Sequence, residues 1–192
     1  MEEGAIEKMK SVYFDTPFVH IQYPWDLFSN NAVELENDFN LLTEGRESAP
    51  ISGSNTLIGD RIFLEEGASV EASTLNSVTG PIYLGTDATI MEGSMVRGGL
   101  ALCDHSTLKM GAKIYGATTV GPHSKVGGEV NNSILIGYSN KGHDGFLGNS
   151  VIGEWCNLGA DTNNSNLKNN YAEVKVWSYT DNRFIPTGLQ FC

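Results

Sequence analysis

The side chains able to do chemistry in this 192-residue chain are few, so their spacing carries the information. His143 lies between Gly142 and Asp144-Gly145, with little bulk around it. An imidazole with an ordinary pKa of about 6.5 accepts a proton close to neutrality, which is the work of a general base. A histidine that merely caps a turn has the same local sequence, and both readings stand at this point. His105 and His123 are eighteen residues apart and share one position of the repeat described below. Zinc requires more convergent ligands than a lone pair supplies, and no short-spaced His pair joins these two. They read as a stacked surface pair, and no metal site is expected. Cys103, Cys156 and Cys192 are odd in number and widely separated. That suits free thiols in a reducing compartment better than a disulfide framework. Lys141, Lys168 and Lys175 read as ordinary surface lysines.

These side chains need a scaffold, and the sequence supplies one. Aliphatic residues recur every six positions: Ile58, Leu64, Val70, then Ile90, Val96, Leu102, Leu108, Ile114, Val120 and Val126. Small or apolar residues follow four places later, as at Ala68, Ser94, Ser106, Ala112 and Ser124. An α-helix cannot hold such a period. A solenoid can, because each hexad becomes a short strand and a turn. Three hexads make one triangular coil of eighteen residues. The stretch Asn76–Pro81 is polar and the phase shifts by two between Ile82 and Leu84, which predicts a bulge or a corner insertion. Past Val126 the repeat becomes ragged: Ile136, Leu147, Ile152 and Leu158 keep the aliphatic character, with the register slipping between Gly142 and Ile152. His143 lies in that break, where departures from a consistent pattern mark function. By the same pattern Cys103 points outward, and Cys156, at the small-residue position, reads as a buried hydrophobe.

The solenoid is expected over residues 46–165. Before it, Trp25, Phe28, Ala32, Leu35, Phe39 and Leu42 form one face of an amphipathic helix over 23–45, with Pro24 in the first turn and Gly45 as the stop. Residues 1–22 give no assignment. Residues 166–192 read as an extended arm with a β-like run at Val174–Trp177, and the absence of a closing cap reads as a chain cut short inside its own fold or one that relies on a neighbour.

The net charge of -11 excludes a non-specific nucleic-acid or anionic-membrane surface, and any anionic small ligand needs a local basic cluster. No run is long and apolar enough to span a bilayer, and a cytoplasmic location follows as the default.

The hexads, with the block Ile136-Gly137-Tyr138-Ser139-Asn140-Lys141-Gly142-His143-Asp144-Gly145-Phe146-Leu147-Gly148 and its continuation through Ala160, resemble the hexapeptide-repeat acyltransferases. Within them, the block resembles the acetyltransferase half of the bifunctional N-acetylglucosamine-1-phosphate uridyltransferase and its sugar-1-phosphate nucleotidyltransferase relatives. The run Asp161–Lys168 is similar to their divergent bacterial and archaeal branch. The resemblance implies an all-β fold, the left-handed parallel β-helix, assembled as a homotrimer with the site between subunits. It also implies acetyl transfer from acetyl-CoA to the amine of a hexosamine 1-phosphate. His143 takes the place of the general base. Asn157, Asn166 and Lys175 match positions around the sugar, Lys175 holding its phosphate. Phe146 stands at a substrate-lining position where the family usually has Tyr. Asn131 and Asn132 fall near a position where the family often has a phosphate-binding Lys. The family's downstream coils and its Gly-rich nucleotide loop do not occur in this sequence, so nucleotidyl transfer is not expected. The helix over 23–45 lies where the family links its two halves. The alternative reading is a non-catalytic trimerisation or effector-sensing module of a sugar nucleotidyltransferase.

Overall fold

The computed structural model describes residues 12–164 and 167–190. Residues 12–22 carry no helix or strand, and the helix α1 (Pro24–Thr43) follows. Pro24 occupies its first turn, and the Asp26 carboxylate accepts bonds from the backbone N–H of Gln22 and Tyr23, both at 2.8 Å. The chain leaves α1 through Gly45 at a φ of +69°, a conformation that favours glycine.

The rest is a parallel solenoid. Its coils are β1 (Thr56–Ile58), β2 (Ile62–Leu64) and β3 (Ser69–Val70), then β4 (Thr74–Asn76), β5 (Ile82–Leu84) and β6 (Thr89–Ile90). Next come β7 (Met95–Arg97), β8 (Leu100–Leu102) and β9 (Thr107–Leu108), then β10 (Lys113–Tyr115), β11 (Thr118–Val120) and β12 (Lys125–Val126). The last are β13 (Glu129–Asn131), β14 (Ile134–Leu135), β15 (Asn140–Lys141), β16 (Phe146–Gly148) and β17 (Val151–Ile152). Every third strand stacks on its predecessor, so β1 through β16 build a first face, β2 through β17 a second, and β3 through β15 a third. This is the triangular β-helix that the hexads predict, of the left-handed parallel class.

The aliphatic columns explain the architecture. Leu75, Val96, Ile114, Val130 and Leu147 stack inside the first face; Leu84, Leu102, Val120 and Leu135 inside the second; Val70, Ile90, Leu108 and Val126 inside the third. Each fully buried side chain contributes roughly 1.5–3 kcal/mol. Two expectations shift by one residue. Ile58 is exposed and Leu57 takes its column, and Leu135 rather than Ile136 points inward beside Val120.

Coil length is regulated at the edges. Thr56 pairs with Thr74 and Met95 with Lys113, eighteen residues on, whereas Thr74 pairs with Met95, twenty-one on, which is the insertion predicted near Asn76–Pro81. The shortening starts earlier than the expected break at Gly142–Ile152: Lys113 pairs with Glu129, sixteen on, and Thr119 with Ile134, fifteen on. The change falls at the corners after β12 and β13, because pairing within a face fixes strand register but not the length of the turn.

Helix α1 lies along the second face and runs opposite to the coil progression. Trp25 and Phe28 border Ser150–Ile152, the Asn31 amide donates to the Ala117 carbonyl at 2.9 Å, and Leu35 approaches Gly99. At the far end, Glu36 and Asn40 meet Arg61, and Arg46 meets Glu65 at 2.6 Å. The buried stripe is Trp25, Phe28, Asn31 and Leu35, while Ala32 and Leu42 are exposed. The expected apolar face is therefore rotated, because Asn31 also accepts from the Thr119 hydroxyl at 3.0 Å and anchors the helix by polar contacts. The C-terminal arm is not a lone extended segment. Its strand β18 (Lys175–Ser178) folds back on β19 (Arg183–Pro186) as an antiparallel hairpin beside the start of α1.

Candidate active site

His143 stands exposed on the edge between the third and first faces, between β15 and β16. The corner that carries it is clasped from both sides. On one side it rests on Gly127 and Gly128: a Cβ at Gly127 meets the Gly142 carbonyl oxygen at 2.6 Å, and one at Gly128 meets the carbonyl of His143 at 2.9 Å. On the other side the Asp161 N–H donates to the Asp144 carbonyl at 3.0 Å, and a Cβ at Gly145 reaches the Thr162 carbonyl at 2.3 Å. Only glycine permits these backbone approaches. The imidazole thus projects into solvent from a backbone with little freedom to move.

Lys141 corrects the surface reading. It occupies the aliphatic column of the third face, stacked on Val126, and is only 2% exposed. Its Nζ donates to the carbonyls of Gly127 at 2.9 Å and His143 at 3.0 Å. Burial draws the ammonium below the ordinary lysine range, with the Asp144 carboxylate opposing.

The other residues singled out by the resemblance are distributed as follows. Asn157 extends the third face and its Oδ1 accepts from the Asn140 amide at 2.7 Å, so part of its capacity is spent on an asparagine ladder. Phe146 begins β16 half-buried, and its polar contact is made by its backbone N–H to Asn163 Oδ1 at 2.7 Å. Lys175 is exposed on the hairpin, whose Val174 and Val176 face Trp25 and Asn149–Ile152 on the other side of the solenoid from His143. Asn166 lies outside the described residues. Within one chain, His143, Asn157 and Lys175 are not in hydrogen-bond contact. A groove of about 660 Å³ lies elsewhere, between α1 and the edge joining the first and second faces, lined by Asn37, Arg97 and Tyr115 among others.

The edge between the second and third faces carries what the spacing revealed only in part. His105 and His123 stack as read, with ring centroids 4.8 Å apart, but the stack continues through Tyr138 at 5.0 Å and Trp155 at 4.9 Å. All four corner residues hold left-handed φ values, between 51° and 58°. Coils shortened to fifteen and then seventeen residues hide the last two rings from an eighteen-residue count. Asp87 precedes them at the same corner, its carboxylate 3.5 Å from His105 Nδ1. Cys156 is exposed, contrary to its reading as a buried hydrophobe. Its position is covered only where another coil stacks, as Ser124 is by Ser139, and among the described residues no further strand covers β17.

The stretch 2–47 matches the family described as sugar nucleotidyl transferase, a match that takes in α1 and ends before the first strand. No curated protein matches the chain. Among the described residues, no helix is long and apolar enough to cross a membrane.

Proposed function

We propose that this chain is the acetyltransferase-like part of a sugar-nucleotidyltransferase-related protein, moving acetyl from acetyl-CoA to the amine of a hexosamine 1-phosphate. The observation that carries the reading is a conjunction: a sugar nucleotidyl transferase match at 2–47 runs directly into a β-helix on which a histidine is held exposed at a fixed corner. In the proposed reaction the sugar amine attacks the thioester carbonyl and His143 takes the proton that the amine sheds. The tetrahedral intermediate then expels the CoA thiolate, which takes up the proton held by His143 and leaves as the free thiol, restoring the neutral base. Asn157 and Asn166 orient the amino sugar, Phe146 lines the cleft and Lys175 holds the phosphate.

Lys175 and His143 lie on different sides of one solenoid, so the reading calls for a homotrimer in which the hairpin of one subunit serves the corner of another. A cytoplasmic setting, with reduced thiols and acetyl-CoA, belongs to the same reading. Purified protein given glucosamine 1-phosphate and acetyl-CoA is expected to release free thiol, and His143→Ala to abolish the release. Release that survives this substitution overturns the role of His143. The second reading is a non-catalytic trimerisation or effector-sensing module. It is favoured by Phe146, whose side chain offers no polar contact, and by the exposed last coil. Calorimetric binding of the sugar phosphate without binding of acetyl-CoA supports the module.

A further inference from the structure

A charged side chain in an apolar column demands a physical account. The third face places Val70, Ile90, Leu108 and Val126 at the positions that stack below Lys141. A methionine fills such a site with no charge to desolvate, whereas a buried ammonium costs several kcal/mol unless it is well partnered. What the lysine adds is two bonds. They go to Gly127 and His143, neighbouring corners of successive coils, and they give both carbonyls a partner. The bond to His143 is made two residues along the chain from the ammonium's own backbone, so it closes the turn Lys141–His143 on itself.

We propose that Lys141 is a positioning residue for His143: from inside the solenoid it ties the His143 carbonyl to the Gly127 corner and so fixes the direction in which the imidazole leaves the edge. Lys141 touches no substrate in this arrangement and acts through the backbone. The catalytic consequence rests on the acetyl-transfer reading; the structural one does not. Glycine approaches at 127, 128 and 145 hold the position of the corner, and the lysine bond holds the tilt of one peptide within it.

The test compares Lys141→Met, which fills the column without a donor, with Lys141→Arg, which keeps a charged donor. The first readout is amide hydrogen exchange at Gly142–Gly145 in the folded proteins, which does not depend on activity. Losing a bond from a charged donor is expected to speed exchange at this corner by about tenfold or more in Lys141→Met, with the β7–β9 amides unchanged and Lys141→Arg closer to wild type. The second readout is kinetic: kcat for acetyl transfer falls about tenfold or more while KM for the sugar phosphate stays within about twofold, the pattern of a displaced base rather than a lost binding contact. Faster exchange in Lys141→Met, alongside a wild-type protein that shows no acetyl transfer, sinks the proposed function and leaves the positioning intact. Unchanged exchange in Lys141→Met overturns the proposal, whatever the kinetics. Should Lys141→Met fail to fold, Lys141→Leu, which repeats the Leu108 side chain of the same column and also lacks a donor, takes its place in the same comparison.

Discussion

At the scale of single residues, the two described thiols make a sensitive pair because their environments differ so sharply. Cys103 lies at the end of β8 under α1, and burial, with a smaller push from the Asp104 charge, raises its thiol to about 11. Cys156 lies open on the last coil. Only the thiolate attacks disulfide reagents. A thiol reagent at about pH 8 is therefore expected to modify Cys156 rapidly and Cys103 only on unfolding, as read by peptide mass spectrometry. Comparable rates at both show that the helix does not cover Cys103. The same scale shows where a sequence reading falters. Lys141 and Asn31 are polar residues at positions that a hydrophobic template assigns to apolar ones, and each is buried because backbone carbonyls meet its donors. No periodicity reports which carbonyls lack partners.

At the scale of elements, the turn that leaves the far end of α1 is fastened by charge. The Arg46 guanidinium donates to both oxygens of Glu65, at 2.8 and 2.6 Å, and the Tyr83 hydroxyl donates to the same carboxylate at 2.7 Å. The Arg46 bonds come first in holding Glu65 below the usual carboxylate range; partial burial opposes them and Tyr83 assists. A carboxylate depressed in the folded state contributes stability above its unfolded pKa, and that contribution is lost as pH falls through the folded value. Glu65→Gln is thus expected to lower the melting temperature at neutral pH, with the deficit shrinking as acid takes the wild-type carboxylate through its depressed folded value. A deficit that stays the same as the pH falls assigns the effect to packing instead. The amphipathic helix itself is legible from its spacing. Its rotation onto Asn31 is not, because the partners Ala117 and Thr119 lie far along the chain.

At the scale of the whole molecule, the repeat and the solenoid are legible because burial must recur wherever coils stack. Leu108 and Val96 are buried in the middle of their columns, and Leu108→Asp or Val96→Asp is expected to leave no folded protein in the soluble fraction, since neither site offers a charge any partner. The candidate site was legible only through its histidine. The break that drew attention to His143 begins three corners earlier, after β12, and the ring ladder outlives the eighteen-residue count because stacking follows the edge, not the sequence interval.

One consequence lies in how the solenoid comes apart. A stack in which each coil touches only its neighbours melts from its ends, since opening a terminal coil breaks one interface and opening a central one breaks two. Helix α1 changes that arithmetic. At about 30 Å it is long enough to run the height of the stack, and it touches the last coil through Trp25 and Phe28 and the first through Glu36 and Asn40, which meet Arg61. It converts a ladder of independent rungs into a single cooperative unit, so the terminal coils cannot fray without the helix also lifting off. Helix departure therefore becomes the gate through which the whole protein unfolds.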